Sequence, residues 1–98
     1  VKDSKLIWLV SEIRNGDDLD DFDDLCQDVC NELIERKWIE QLEQMAEKPI
    51  YDGDVICKTY RDALITLGLA SRVMYRGGFG YTSTNYLGGH ILKMKGRF

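Results

Sequence analysis

Within residues 16–25, "GDDLDDFDDL", six of the ten positions are aspartate. Yet the apolar residues in and beyond that run, Leu19, Phe22, Leu25/Cys26, Val29 and Leu33, recur at steps of three and four. That spacing is one stripe of an amphipathic helix, with the carboxylates on its other faces. An acidic segment that keeps a helical period has a face to bury, so it belongs to a folded domain and not to a solvated tail. Asp17 or Asp18 is placed to cap the amino end, where negative charge also meets the favourable pole of the helix dipole. Arg36 and Lys37 follow toward the opposite pole. Aspartates past the first turn are poor helix formers and repel one another, so solubility alone would be better served by Glu. The run therefore leaves room for a binding role.

The same period organises the segments on either side. Leu6, Leu9, Val10 and Ile13 predict a first helix over about residues 3–14, stopped by Asn15-Gly16, although Ile7 and Trp8 would also suit a strand. Trp38, Ile39, Leu42, Met45 and Ala46 carry the helical spacing to Lys48-Pro49, where proline ends it. Residues 18–47 are compatible with one helix or with two.

After Pro49 the texture changes. "IYDGDV" contains a turn at Asp52-Gly53. "TYRD" has the capping-box pattern, with Thr59 as N-cap and Asp62 three residues on. Tyr60, Ala63, Leu64 and Leu67 form the buried stripe of a helix of about two turns. Gly68 sits where a left-handed residue closes such a helix, and Leu69 is its usual apolar partner. "LASRVMYR" then alternates, "RGGFG" reads as a hairpin tip, and "YTSTNYL" is rich in β-formers. Gly88-Gly89 has the form of a two-residue hairpin turn before "HILKMK". The expected strands are about 69–76, 80–87 and 90–95. A closing helix over 84–95 is the competing reading, which two adjacent glycines oppose.

The expected fold class is α+β: a helical N-terminal half, then a short helix and a three-stranded antiparallel β-meander. Its core is expected from Trp8, Leu19, Phe22, Leu25, Val29, Leu33, Trp38, Leu42, Leu64, Leu67 and Val73. With 98 residues, 44% hydrophobic and 31% charged, this is the size and composition of one small globular domain. No apolar run approaches the ~20 residues that span a membrane, and the early apolar stretch has no small-residue cleavage site behind it, so neither a membrane anchor nor a signal peptide is expected.

The net charge of −4 conceals a division. Residues 1–54 hold 6 Lys+Arg against 16 Asp+Glu, whereas residues 55–98 hold 7 Lys+Arg against one Asp. An acidic helical half thus precedes a basic helix-plus-hairpin half. Such asymmetry marks either a nucleic-acid-binding half or two faces that attract each other within one fold. Cys26, Cys30 and Cys57 form no secreted framework, which points to a reducing, cytoplasmic setting. Cys26 and Cys30 share a helix face and read as small buried hydrophobes. No cofactor or metal is expected, because the lone His90 is far from them in sequence.

The series "KTYRDALITLGLASRV" followed by "MYRGGFGYTS" resembles the second half of a winged helix-turn-helix domain over about residues 54–87. The resemblance implies that the helix before the hairpin enters a major groove, while the hairpin tip, the wing, contacts backbone or minor groove. It assigns Lys58, Thr59, Arg61 and Thr66 to the exposed helix face, and Arg72, Arg76 and the "GGFG" tip to the wing. The preceding "PIYDGDVIC" reads as turn and extended chain, where that family presents a further helix. The overall texture also resembles small proteins of phages and mobile elements.

Two binding readings follow, both non-catalytic. In the first, the basic half neutralises phosphates while Phe79 and Tyr81 stack on a base or wedge in a groove. In the second, Asp17, Asp18, Asp20, Asp21, Asp23, Asp24 and Asp28 present carboxylates to a basic protein surface, as a nucleic-acid mimic or inhibitor would. The bland alternative for each is a solvated face. Homodimerisation through the helices bearing Trp8 or Trp38 fits either. The sequence has no catalytic triad spacing and no phosphate-cradling loop joined to a helix, and the acidic run lacks the central glycine and terminal Glu of a calcium loop.

Overall fold

The computed structural model describes residues 4–16 and 21–96. Along them run α1 (Ser4–Asn15), α2 (Phe22–Arg36), α3 (Ile39–Glu47), β1 (Ile50–Tyr51), a 3-10 turn (Asp52–Asp54), α4 (Lys58–Leu67), β2 (Ala70–Tyr75), β3 (Gly78–Thr84) and α5 (Tyr86–Lys95). The fold is α+β, with a three-stranded antiparallel sheet in the order β1-β3-β2.

The first helix buries the expected stripe of Leu6, Leu9, Val10 and Ile13. Trp8, expected in the core, is instead 58% exposed. It lies about 200° around the helix from Leu6, opposite the stripe. The stripe of α2 buries Cys26, Val29, Cys30 and Leu33, with Phe22 and Leu25 packed at its margin. Leu19, Asp17, Asp18 and Asp20 lie outside the described residues.

Two helices, not one, occupy the stretch before Pro49. Lys37 adopts a left-handed conformation (φ 64°), and its N–H bonds to the Ile34 carbonyl while that of Trp38 bonds to Leu33. That is a Schellman closure with lysine where glycine is usual. The same closure ends α4 as the sequence predicts: Gly68 (φ 84°) donates to Ile65, and Leu69 donates to Leu64.

The other end of α4 differs from expectation. Cys57, in extended conformation, is the N-cap, so Thr59 lies inside the helix and no side chain caps it. Instead two glutamines of α3 hold the approach to α4. Fully buried Gln41 accepts from the Cys57 N–H (2.8 Å) and donates to Gln44 (2.8 Å). Gln44 accepts from the Ile56 N–H and donates to the Asp54 carbonyl. An extended segment whose polar backbone is satisfied by side chains needs no helix of its own.

The third strand is not residues 90–95 but Ile50–Tyr51, which pairs with Thr82 and Tyr81 of β3. Residues 86–95 form α5, so the competing helical reading is the observed one. Asn85 starts this helix, its side-chain oxygen accepting from the Gly88 N–H (2.9 Å) and its nitrogen donating to the Gly68 carbonyl (2.6 Å). Arg14 donates to that same carbonyl (3.1 Å), tying α1, the end of α4 and the start of α5 together. Gly88 is glycine for packing and not for a turn: a Cβ there would lie 2.2 Å from the Leu69 carbonyl oxygen. Ile91 and Met94 then reach a core shared with α1, α2, α3, α4 and the start of β2.

Candidate functional site

The β2–β3 hairpin turns through Arg76 (φ 53°) and Gly77 (φ 75°), flanked by the Tyr75–Gly78 pair. Positive φ at both central residues is the type I′ geometry that matches strand twist. Between the Val73–Tyr81 and Tyr75–Gly78 pairs β3 carries one extra residue, so Met74 faces a bulge at Phe79-Gly80. The bulge throws Phe79 outward until it is 81% exposed. Arg76 is exposed, with its guanidinium carbon 5.2 Å from the Tyr75 ring centre. It enters no ion pair among the described residues.

The remaining basic candidates divide sharply. Lys58 and Thr59 are exposed on the first turn of α4, and Thr66 is exposed on its last. Arg61, expected on that exposed face, is only 7% exposed. It donates through Nη1 to Asp52 Oδ1 (2.9 Å) and through Nε to Asp62 Oδ1 (2.9 Å). Arg72 donates to the same Asp52 oxygen from β2. The hydrogen bond from Arg72, together with the nearby charges of Arg72 and Arg61, holds the Asp52 carboxyl below its ordinary range. The Arg72 guanidinium is shifted upward by the same bond. Arg61 is therefore a structural cation that fastens α4 to the 3-10 turn, and Arg72 is compensated on the sheet. Lys95 pairs likewise with Glu43, and His90 Nε2 lies 3.1 Å from Asp23 Oδ1. Much of the charge division between the halves is thus closed within the fold.

The sheet has one covered face and one open face. Ala70, Thr82 and Ile50 are buried beneath the helices, and the Thr84 hydroxyl donates to the Leu42 carbonyl of α3 (3.0 Å). On the other face Tyr51, Tyr81 and Tyr75 stand in a row across all three strands. Their ring centres are 5.4 Å and 5.3 Å apart, each pair edge to face. A depression of about 210 Å³ beside them is lined by the three rings with Lys48, Pro49, Ile50, Asp54 and Arg76. Lys48 is exposed and, like Arg76, enters no ion pair among the described residues.

Sequence reasoning placed Arg76, Phe79 and Tyr81 on this hairpin but missed Tyr51, Tyr75 and Lys48. The alternation of "VMYR" puts Tyr75 on one face with Val73. Which residues of β3 and β1 join it depends on a register that no local pattern encodes.

On the acidic side, Asp21, Asp23, Asp24 and Asp28 are exposed along α2. Cys26 and Cys30 lie beneath them. Burial, then Asp23, pushes the Cys26 thiol up to about 11, and burial raises Cys30 as well. Thiols so shifted stay protonated near neutrality and are poor nucleophiles and metal ligands. Among the described residues no group of three or more His, Cys, Asp or Glu is placed to hold a metal, no buried side-chain nitrogen or oxygen lacks a partner, and no helix is long and apolar enough to cross a membrane. Comparison with protein-family models, with curated proteins and with solved structures gave no match.

Proposed function

We propose that this is a winged-helix-like, non-catalytic protein that binds nucleic acid, and that its β2–β3 hairpin is the principal contact. The observation that carries the reading is the coincidence, on one hairpin, of a tip guanidinium that enters no ion pair among the described residues with aromatic rings beside it, Phe79 exposed and Tyr75 and Tyr81 half-buried. Arg76 stands at the turn, Phe79 projects from the bulge, and Tyr75 and Tyr81 line the adjoining face. Cations position phosphates and rings engage bases, and nucleic-acid surfaces combine the two. The order α4, β2, β3 is that of a recognition helix followed by its wing. On α4 the available groups are Lys58, Thr59 and Thr66, since Arg61 is engaged in holding the fold. Three free thiols fit a reducing, cytoplasmic setting for such a protein.

The exposed carboxylates of α2 favour a second reading, a docking face for a basic protein surface, with Asp21, Asp23, Asp24 and Asp28 as its described members. Backbone amide shifts recorded while a short mixed-sequence oligonucleotide is added separate the two. The hairpin reading predicts shifts concentrated on residues 72–81 and on Lys48, with α2 unmoved. An unchanged spectrum at low salt rejects it.

A further inference from the structure

We infer that the open face of the sheet is a stacking platform for single-stranded nucleic acid, entered at the exposed ring of Tyr51 in the row Tyr51, Tyr81 and Tyr75, with phosphates at Lys48 and Arg76. The inference deepens the nucleic-acid reading above and rests on it. Tyr51 and Tyr81 face each other in register across β1 and β3, and Tyr75 continues the row on β2. Residues of the opposite face, Ile50, Thr82 and Ala70, are buried under helices, so the tyrosine row lies on the face turned away from them, with Tyr51 exposed and Tyr81 and Tyr75 half-buried against one another. Tyr51 remains 50% exposed even though its ring contacts Tyr81.

The chemistry of the rim selects the ligand. Two cations, Lys48 and Arg76, border the depression against one carboxylate, Asp54. Both cations are free of ion pairs among the described residues, whereas Arg61, Arg72 and Lys95 are each spent on a carboxylate. An anionic backbone is therefore drawn to the Lys48 and Arg76 side, away from Asp54. In a duplex the base faces are stacked on one another and cannot meet a tyrosine. An unpaired strand offers them, and every base has a π-face, so recognition by stacking tolerates sequence. Tyrosines also serve protein interfaces, so it is the net positive rim of Lys48 and Arg76 that favours a phosphate backbone over an apolar protein partner.

The test is fluorescence anisotropy with labelled single-stranded DNA and RNA of one sequence, their duplexes, and an abasic strand of equal length. The platform predicts preference for single strands over duplex and loss of most affinity for the abasic strand, which keeps the phosphates but lacks bases. Tyr51→Ala, on a half-exposed edge position, should weaken single-strand binding between roughly 5- and 150-fold, the range for losing one stacked base. Tyr81→Phe, which keeps the ring, should retain it. The DNA and RNA arms show which sugar the face prefers. Equal affinity for abasic and normal strands, or single-strand binding indifferent to Tyr51→Ala, would overturn the platform while leaving the nucleic-acid reading in place. Absence of binding to every probe, or capture of a protein partner by this face instead, would remove both.

Discussion

Adjacent glycines in α5 should respond to alanine with opposite signs. In a solvated helix interior Gly→Ala gains up to about 1 kcal/mol, because glycine has more backbone freedom to lose. At Gly89 nothing lies within 4 Å of the added methyl group, so the gain should appear almost in full. At Gly88 the same methyl would lie 2.2 Å from the Leu69 carbonyl oxygen and 2.6 Å from Thr84 Cγ2. The first contact is with backbone, and it falls 0.8 Å short of the 3.0 Å that real Cβ contacts respect. Relief requires α5 to back away from the start of β2, which loosens Ile91 and Met94 in the core and strains the Asn85 bonds to Gly88 and Gly68. Overpacking of that kind costs about 1–3 kcal/mol or more. With the contacts strained at both ends of Asn85, a net loss of about 2 kcal/mol is expected, or roughly 8–16 °C in Tm for a domain of this size. Urea and thermal melts followed by circular dichroism would measure both variants. Equal destabilisation of the two, as a Gly-Gly hairpin turn would give, refutes the close approach of α5 to Leu69.

Three further outcomes follow from the ion pairs and caps. Arg61→Ala should lower stability by about 1–3 kcal/mol, through lost packing and charged hydrogen bonds, because Asp52 keeps Arg72 and Asp62 is exposed to water. A melt with unchanged Tm would show that Arg61 is not fastening α4. Asp52 has a folded value below the ordinary 3.8, so its contribution is complete above that value and is lost as pH falls through the lowered folded value. An acid-denaturation curve for Asp52→Asn should therefore be flatter below pH 4 or so than that of the parent chain; parallel curves would contradict the assignment. Lys37→Gly should raise stability by about 1 kcal/mol, since φ at Lys37 is 64° and an L side chain is strained there. Unchanged or lowered urea midpoints would argue against that cap.

How much was legible in the sequence depended on how local each determinant is. The stripe of α1, the glycine closure of α4 and the hairpin after it are set by residues within a few positions of one another, and they stand where the spacing put them. Gly88-Gly89 misled because the reason for Gly88 is a carbonyl nineteen positions earlier in the chain, and a glycine required by packing looks the same as one required by a turn. Arg61 sits on the face that helical periodicity marks as polar. It is buried because β1, only two residues long, pairs with β3 and brings Asp52 beneath α4. The tyrosine row has the same origin: Tyr51 and Tyr75 meet at Tyr81 only through that register. The charge division was visible at once, yet its meaning was split, since Arg61, Arg72, Lys95 and His90 turned toward carboxylates while Arg76 and Lys48 enter no ion pair among the described residues. Sequence counts charges, and only tertiary contacts say which of them are left for a partner.

The central claim is that Arg76 at the hairpin tip, with Lys48 beside it on the rim, is available to phosphates, and the salt dependence of binding tests it most directly. Affinity for a labelled single strand should fall linearly on a log–log plot against salt, and Arg76→Ala should both weaken binding and reduce the slope by roughly 0.7, the counterion share of one phosphate contact. Superimposable lines for the parent chain and Arg76→Ala, or no binding at the lowest salt, would contradict the account.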